Sequence, residues 1–202
     1  MKLIVITKPT FFIEEDKIIT ALFEEGLDIL HLRKPETAAM YSERLLTLIP
    51  EKYHRYIVTH EHFYLKEEFG LMGIHLNARN SQEPKGFSGH VSCSCHSIEE
   101  VKAKKRYYDY VFMSPIFDSI SKKDYNSAYT PEELRQAAKE GIIDKNVMAL
   151  GGINPDNILQ IKDYGFGGAV ILGDLWNKFD DCKDQDYHRI VQHFIKLKEL
   201  AD

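Results

Sequence analysis

A polar loop between residues 114 and 130 carries the residues whose types and spacing most clearly suggest chemistry. Ser119 and Ser121 are two positions apart, and Lys122 follows directly. Two hydroxyl groups and an ammonium group at this spacing can surround an anion with hydrogen-bond donors. A merely solvated loop would have a similar composition, but long loops on a rigid framework usually carry function. We therefore predict that this loop binds an anionic group such as phosphate.

The glycine pair Gly151-Gly152 is a second candidate for anion binding. It follows the apolar segment 147–150 and precedes Asn154 and Pro155, which favour the start of a helix. Glycines between a strand and a helix let the backbone approach a ligand and direct N–H groups at it. Glycines also serve ordinary tight turns. The glycine turn alone therefore does not predict a phosphate site. It does so only in combination with the fold and the other candidate residues.

The elements that must position these residues alternate between buried apolar strands and amphipathic helices. The strands are expected at residues 3–7, 28–32, 56–59, 72–76, 90–94, 110–113, 147–150 and 168–172. Eight alternating units with short connections imply an α/β chain folded as a closed (β/α)₈ (TIM) barrel, a single domain over residues 1–202. We expect a reduced helix at residues 77–89, N-caps at Thr37, Ser97 and Thr130, and a helix over 155–164. An open doubly wound sheet is the alternative.

In such a barrel, the ligand site lies where the strands end, at their carboxyl ends. The residues expected there include His31, Arg33, Thr59, His60, Ser94, His96 and Gly173, as well as the glycine pair. This set is rich in donors and cations, which predicts an anion at the mouth of the barrel. Arg33 suits bidentate binding of phosphate. His31 and His75, each between apolar neighbours, could instead be packed inside the barrel.

A metal site at Cys93, Cys95 and His96 is the other chemistry that the residue types suggest. The two cysteines share one face of a strand, but no second pair of ligands at zinc-like spacing follows. We therefore predict no metal site.

Composition limits the kinds of protein to consider. The chain has 202 residues and a net charge of −5, which argues against a nucleic-acid binder. No apolar run is long enough for a membrane span, and the N-terminal residues do not resemble a signal peptide. Three cysteines cannot all pair within the chain, so we expect a reducing, cytoplasmic location.

Five segments, taken in order, resemble the thiamine phosphate synthase/TenI family. Two segments overlap early strands: His31-Leu32-Arg33-Lys34 resembles the family's Gln-x-Arg-x-Lys, and Ile74-His75-Leu76 resembles its Val-His-Leu. Ser94-Cys95-His96 resembles its Ser-x-His, and residues 114–122 resemble its Gly-Pro-x-Phe-x-Thr-x-Thr-Lys. The fifth segment, Gly151-Gly152-Ile153, resembles its Gly-Gly-Ile. The resemblance implies a (β/α)₈ barrel and a role in thiamine biosynthesis.

The resemblance also implies a reaction and a set of residue roles. Synthase members join a hydroxymethylpyrimidine diphosphate to a thiazole phosphate: diphosphate leaves, a pyrimidine cation forms, and the thiazole nitrogen attacks. That chemistry calls for Mg²⁺ and cationic donors on the leaving group. By resemblance, Arg33, Ser119, Ser121 and Lys122 supply donors, and the glycine pair holds a phosphate.

The chain departs from the family at the metal-binding positions. The family's two metal aspartates align with the Thr59-His60 pair and with Asn80, and its glutamine aligns with His31. This pattern favours the TenI branch, whose tautomerisation of a thiazole carboxylate phosphate needs no metal. His96 aligns with the histidine that moves the proton there.

We therefore predict a TenI-like tautomerase with His96, Arg33 and Lys122 as catalytic residues and no cofactor. The first alternative is a thiamine phosphate synthase that uses Mg²⁺, and the second is a non-catalytic sensor of a thiamine precursor. The expected ligand is a small phosphorylated thiazole or pyrimidine. Neither a nucleic acid nor a membrane is expected as a partner, and self-association into a homo-oligomer is compatible with the sequence.

Overall fold

Eight parallel strands form a closed barrel in the computed structural model, which describes residues 1–118, 127–177 and 187–202. The strands are β1 (Lys2–Ile6), β2 (Ile29–Leu32), β3 (Ile57–Thr59), β4 (Gly73–Leu76), β5 (His90–Cys95), β6 (Tyr110–Met113), β7 (Val147–Leu150) and β8 (Gly168–Ile171). Each strand pairs with the next, and β8 pairs with β1 in the register Lys2↔Gly168. The predicted (β/α)₈ barrel is confirmed.

Helices connect the strands and cover the outside of the barrel. They are α1 (Glu15–Glu24), α2 (Ala39–Leu48), α3 (Leu65–Phe69), α4 (Ile98–Lys104), α5 (Pro131–Lys139), α6 (Ile158–Asp163), α7 (Gly173–Trp176) and α8 (His188–Ala201). Two 3₁₀ segments, Glu51–Tyr56 and Lys105–Tyr107, precede β3 and β6. Residues 77–89 contain no regular helix, so the expected reduction is complete there. None of the helices in the described residues is long and apolar enough to cross a membrane.

Local capping chemistry explains where most helices begin. The Ser97 side chain accepts a hydrogen bond from the backbone N–H of Glu100, and Thr130 forms a reciprocal capping box with Glu133, as predicted. Thr37 is one residue too early to cap α2, and its hydroxyl donates instead to the Lys34 carbonyl.

The helix after β7 begins three residues later than the predicted position 155. Asn154 uses its side-chain oxygen to accept from the Asp156 N–H, and Asn157 accepts from the Asn154 N–H. These local bonds hold residues 154–157 in a turn, so the first regular helical residue is Ile158. The short helix α7 was not predicted; its Trp176 indole N–H donates to the Ile6 carbonyl at the end of β1.

Alternation along each strand separates two apolar layers. Side chains that point outward pack against the helices, while an inner cluster fills the barrel. The inner cluster consists of Ile4, Ile6, Ile29, Val58, Tyr110, Phe112, Met148 and Val170. Because the interior is filled, a ligand has room only above this layer, at the carboxyl ends of the strands.

A buried ion pair lies beside the first helix. Lys34 Nζ is 2.5 Å from Glu15 Oε1, and both side chains are 1% exposed. The same ammonium group donates to the Thr10 carbonyl at 2.9 Å and faces the Phe11 ring at 4.4 Å. The second carboxylate oxygen of Glu15 has no hydrogen-bond partner in the described structure. The pair fixes the first residue of α1 against the segment that follows β2.

We expect this pair to make stability depend on pH. Burial raises the pKa of Glu15 from 4.5 to about 7, although Lys34 and Lys8 oppose the shift. At pH values between these two pKa values, Glu15 is protonated in the folded protein and ionised in the unfolded chain. Stability should therefore fall as the pH rises from about 4.5 to about 7, by at most about 1.4 kcal/mol per pH unit.

Urea unfolding of wild type and Glu15→Gln across this pH window checks the expectation, because glutamine does not titrate. The free energy of unfolding of wild type minus that of Glu15→Gln should rise as the pH falls from about 7 to about 4.5, because only the wild-type side chain takes up a proton on folding. Parallel profiles would contradict the raised pKa.

Candidate functional site

A cavity of about 370 Å³ opens at the carboxyl ends of the strands. All eight strands contribute to it, either with their last residues or with the residues that follow. Its lining consists of Ile6, Arg33, His60, Asn77, Ala78, Arg79, Ser94, His96, Phe112, Leu150 and Leu172. Four of the predicted site residues, Arg33, His60, Ser94 and His96, are therefore brought together in one place.

Arg33 is held at the cavity by its backbone. Its N–H donates to the Thr7 hydroxyl at 2.9 Å, and that hydroxyl donates back to the Arg33 carbonyl at 3.1 Å. The guanidinium is half-buried, and burial together with the charge of Arg79 lowers its pKa. A guanidinium remains charged under any physiological condition. The cavity therefore presents a fixed positive group to its contents.

Arg79 was not predicted as a site residue, because the polar segment after β4 has no regular pattern. The Arg79 guanidinium reaches Glu61 Oε1 at 3.3 Å, and Arg79 also lines the cavity. Asn77 accepts the backbone N–H groups of Arg79 and Asn80, and its buried Nδ2 has no hydrogen-bond partner among the described residues. The position of Arg79 shortly after a strand was the available signal. Arg79 and Asn77 both add donors to the anion-binding character of the site.

His96 lies at the rim, where the cavity meets solvent. Its Nδ1 is 3.3 Å from the Ser114 hydroxyl oxygen, and its backbone N–H points at Glu100 Oε2 at 3.4 Å. The ring is exposed, so it can exchange protons with water and with a bound molecule. Ser94, on the same strand end, hydrogen-bonds His75 Nε2 at 2.9 Å.

His31 lies below the cavity and does not line it. It shares the inward face of β2 with Ile29 and is fully buried. Its Nδ1 is 2.8 Å from His60 Nε2, and its Nε2 is 2.6 Å from the Tyr110 hydroxyl. Burial lowers the pKa of both histidines well below the usual value, so both rings are neutral at physiological pH. His31 itself contacts His60, which does line the cavity, and ligand contact at His31 stays a prediction.

Five further predicted residues lie away from the cavity or outside the described part of the chain. Thr59 is on the outward face of β3, because alternation places it with Ile57 rather than Val58, and its hydroxyl donates to the Glu61 carbonyl. Gly173 is the first residue of α7 and does not line the cavity. Ser119, Ser121 and Lys122 lie outside the described residues.

The glycine pair is accounted for by contact within the chain. Gly151 and Gly152 have φ of 107° and 65°, and the Phe117 N–H donates to the Gly151 carbonyl at 3.1 Å. A Cβ on Gly152 would lie 2.2 Å from the Asp118 carbonyl oxygen. Gly152 lines a neighbouring cleft together with Phe117 and Asp118 rather than the main cavity. Glycine is required here because the backbone of residues 151–152 packs closely against the loop after β6. Phosphate contact at the pair stays a prediction.

Replacing Gly152 with alanine should therefore be strongly destabilising. The matched control is Gly141→Ala, because Gly141 also has a positive φ of 67° but has nothing within 4 Å of an added Cβ. We expect Gly141→Ala to cost about 1 kcal/mol and Gly152→Ala at least about 2 kcal/mol more. Chemical denaturation of both variants measures the difference. Equal losses would show that the packing against Asp118 is not tight.

The donor set of the cavity suits phosphate but not Mg²⁺. Hard divalent cations prefer carboxylate or carbonyl oxygens, and none of the described side chains that line the cavity is a carboxylate. Glu61, which follows the lining residue His60, is already engaged: it binds Arg79 and accepts the Lys34 N–H. Asn80, at a position of a family metal aspartate, donates its amide to the His60 carbonyl. The two arginines and the neutral His60 imidazole instead favour an anion.

Comparison with known proteins agrees with this architecture. The model of the thiamine monophosphate synthase family matches residues 3–175. A thiamine-phosphate synthase of Halalkalibacterium halodurans is 29% identical over 173 residues, which cover 79% of this chain and 81% of that protein. A thiamine-phosphate synthase of Actinobacillus succinogenes is 26% identical over 197 residues, which cover 87% and 83%.

Two solved structures are also similar to this chain, one of them in both sequence and fold and the other in fold alone. A crystal structure of thiamine phosphate pyrophosphorylase from Bacteroides thetaiotaomicron is 75% identical, with a TM-score of 0.93, and the match covers 99% of this chain and 97% of that one. The thiamine phosphate pyrophosphorylase from Pyrococcus furiosus, at 19% identity and a TM-score of 0.75 over 98% and 94% of the two chains, shows the fold alone. The chain belongs to the thiamine monophosphate synthase family.

Proposed function

We propose that this protein is a thiamine-phosphate synthase, which joins a hydroxymethylpyrimidine diphosphate to a thiazole phosphate and releases diphosphate. One observation carries the proposal: Arg33 and Arg79 face one cavity at the carboxyl ends of the strands, in a chain with a net charge of −5. The names of the relatives favour this activity over the tautomerase that the departures from the family pattern suggested.

The reaction breaks one bond and makes one. The bond between the pyrimidine methylene carbon and the diphosphate oxygen breaks, and its electron pair leaves with the diphosphate. The thiazole nitrogen then donates its lone pair to the methylene carbon. Negative charge develops on the departing oxygen, where a guanidinium fork stabilises it most strongly in a partly dry site. Arg33 fills this role best, because it is half-buried and its backbone is fixed.

The described residues that line the cavity give no support for a step through Mg²⁺, so the arginines are assigned the role of neutralising the negative charge of the leaving diphosphate. Neutral His60 and the free amide of Asn77 add uncharged donors at the same cavity. Phe112 and Leu150 supply apolar lining, which suits the face of a heteroaromatic ring.

Tautomerisation of a thiazole carboxylate phosphate is the second candidate, and the placement of His96 favours it. An exposed imidazole that lines the cavity, close to the Ser114 hydroxyl, can take a proton from one carbon of a bound ring and return it to another. This reaction needs neither a leaving group nor a metal.

Purified full-length protein distinguishes the two. It would be incubated with both synthase substrates, with and without Mg²⁺, and separately with the carboxylated thiazole phosphate alone. Mass spectrometry would follow thiamine phosphate, and NMR would follow the tautomer, which has the same mass as its substrate. We expect thiamine phosphate, with His96→Gln lowering the rate by less than about 10-fold, since a base is not required for the attack. Turnover of the carboxylate alone, lost in His96→Gln, would favour the tautomerase. Ligand-dependent thermal stabilisation without turnover would favour a sensor and overturn both.

A further inference from the structure

Three histidines lie together beneath the cavity, on three neighbouring strands. His31 belongs to β2, His60 follows β3, and His75 belongs to β4. One ring nitrogen from each lies within 4.8 Å of the others, and all three rings are buried. The His60 and His75 rings stack with their centroids 4.3 Å apart. No metal site was expected from the spacing of these residues, because it is the register of the barrel that assembles them.

Outer hydrogen bonds orient two of the rings. The Tyr110 hydroxyl bonds His31 Nε2 at 2.6 Å, and the Ser92 hydroxyl bonds His75 Nδ1 at 2.8 Å. When His31 Nε2 and His75 Nδ1 carry the ring protons and donate these bonds, the other nitrogen of each ring has a free lone pair that faces the cluster. Second partners of this kind are typical of metal-bound imidazoles, because they fix the tautomer and the ring orientation.

The contact between His31 and His60 is the point at which an ion would enter. His31 Nδ1 and His60 Nε2 are 2.8 Å apart and share one proton. Two nitrogens that bind the same tetrahedral zinc ion are about 3.3 Å apart. The rings need to separate by only about half an ångström for an ion to replace that proton. His75 Nε2, which now bonds Ser94, supplies the third nitrogen.

The chemistry of the donors selects the ion. Imidazole nitrogen binds Zn²⁺, Co²⁺ and Ni²⁺, whereas Mg²⁺ takes oxygen. All three rings are buried, so an ion bound by them would be shielded from bulk solvent. Arg33 and Arg79 place positive charge nearby, which disfavours ions held by charge alone. A cation with strong bonds to nitrogen meets these conditions.

We infer that His31, His60 and His75 form a binding site for one late first-row divalent cation, with Zn²⁺ as the best match. His60 lines the main cavity, so the fourth position of the ion opens toward it. This inference does not depend on the proposed reaction, because it concerns the affinity of the folded chain for a metal ion.

Metal titration of the full chain after dialysis against a chelator tests the inference. Zn²⁺ alone is titrated by calorimetry, and Co²⁺ alone by visible absorption. We expect one equivalent of Zn²⁺ per chain and the intense absorption of four-coordinate Co²⁺. His60→Gln should weaken binding by more than about 100-fold, since a change of an outer partner alone costs roughly 10- to 100-fold. His188→Gln, which changes an exposed histidine on α8, should bind as wild type does.

A wild-type measurement guards against a variant that fails to fold. In protein labelled with ¹⁵N at histidine, Zn²⁺ should shift the ring-nitrogen signals of His31, His60 and His75. Saturating Mg²⁺ should shift none of them. Zn²⁺ that shifts only exposed histidines, binding that survives in folded His60→Gln, or no stoichiometric binding would each overturn the inference.

Discussion

Replacing Arg33 with glutamine should lower kcat/KM for thiamine phosphate formation by about 100- to 1,000-fold. The reason is that removal of one preorganised donor from developing negative charge usually costs this much. Arg33 is half-buried, and the reciprocal bonds between its backbone and Thr7 fix its position, so a neighbouring side chain cannot easily replace it. Arg33→Lys should recover only part of the loss, because lysine keeps the charge but lacks the fork.

Steady-state kinetics with both substrates measures the effect, and Arg106→Gln is the matched control. Arg106 is exposed in the 3₁₀ segment before β6, at the end of the barrel away from the cavity, and its guanidinium contacts the neighbouring Tyr107. This control should leave kcat/KM within a factor of about two. An Arg33→Gln variant with the activity of wild type would remove Arg33 from the mechanism.

Replacing Glu15 with leucine at neutral pH should lower the free energy of unfolding by about 3 to 5 kcal/mol. The substitution leaves the Lys34 ammonium buried, with only the Thr10 carbonyl and the Phe11 ring as partners. Burial of an unpaired charge costs far more than a surface pair contributes. Glu15→Leu combined with Lys34→Met should recover most of the loss, since apolar groups of similar volume replace a buried pair at little cost.

Urea denaturation of the two single variants and the double variant gives the coupling between the residues. Glu24→Leu is the control, because Glu24 lies exposed on the same helix, and its replacement should change stability by less than about 0.5 kcal/mol. A double variant that is no more stable than Glu15→Leu would mean that the pair contributes packing or specificity that apolar side chains cannot supply.

Most of the fold could be predicted from the sequence because its signals are local. Runs such as Val147–Leu150 and Tyr110–Met113 are apolar and short, and the caps at Ser97 and Thr130 have well-defined chemistry. Errors arose where local bonds competed with the general rule. The Asn154 and Asn157 side chains bond backbone groups of the turn and delay the next helix, which a count of helix-forming residues does not show.

The candidate site was harder to predict because it depends on the position of each side chain along the barrel axis and on whether that side chain points inward or outward. His31 and His60 both sit near strand ends, yet only His60 reaches the cavity. The outward direction of Thr59 follows from a parity that is ambiguous in a three-residue strand. Arg79 lies in a segment without periodicity, and the contact among the three histidines links residues far apart in sequence.

The pairing of β1 with β8 also has a consequence for synthesis of the chain. Lys2 and Gly168 are neighbours in the sheet, so the ring cannot close until nearly the whole polypeptide has left the ribosome. Until then, the nascent sheet keeps two unpaired edges, which can pair with strands of other molecules. A product that stops before β8 would therefore be expected to aggregate, and a chaperone that shields strand edges during translation should raise the yield of closed barrels.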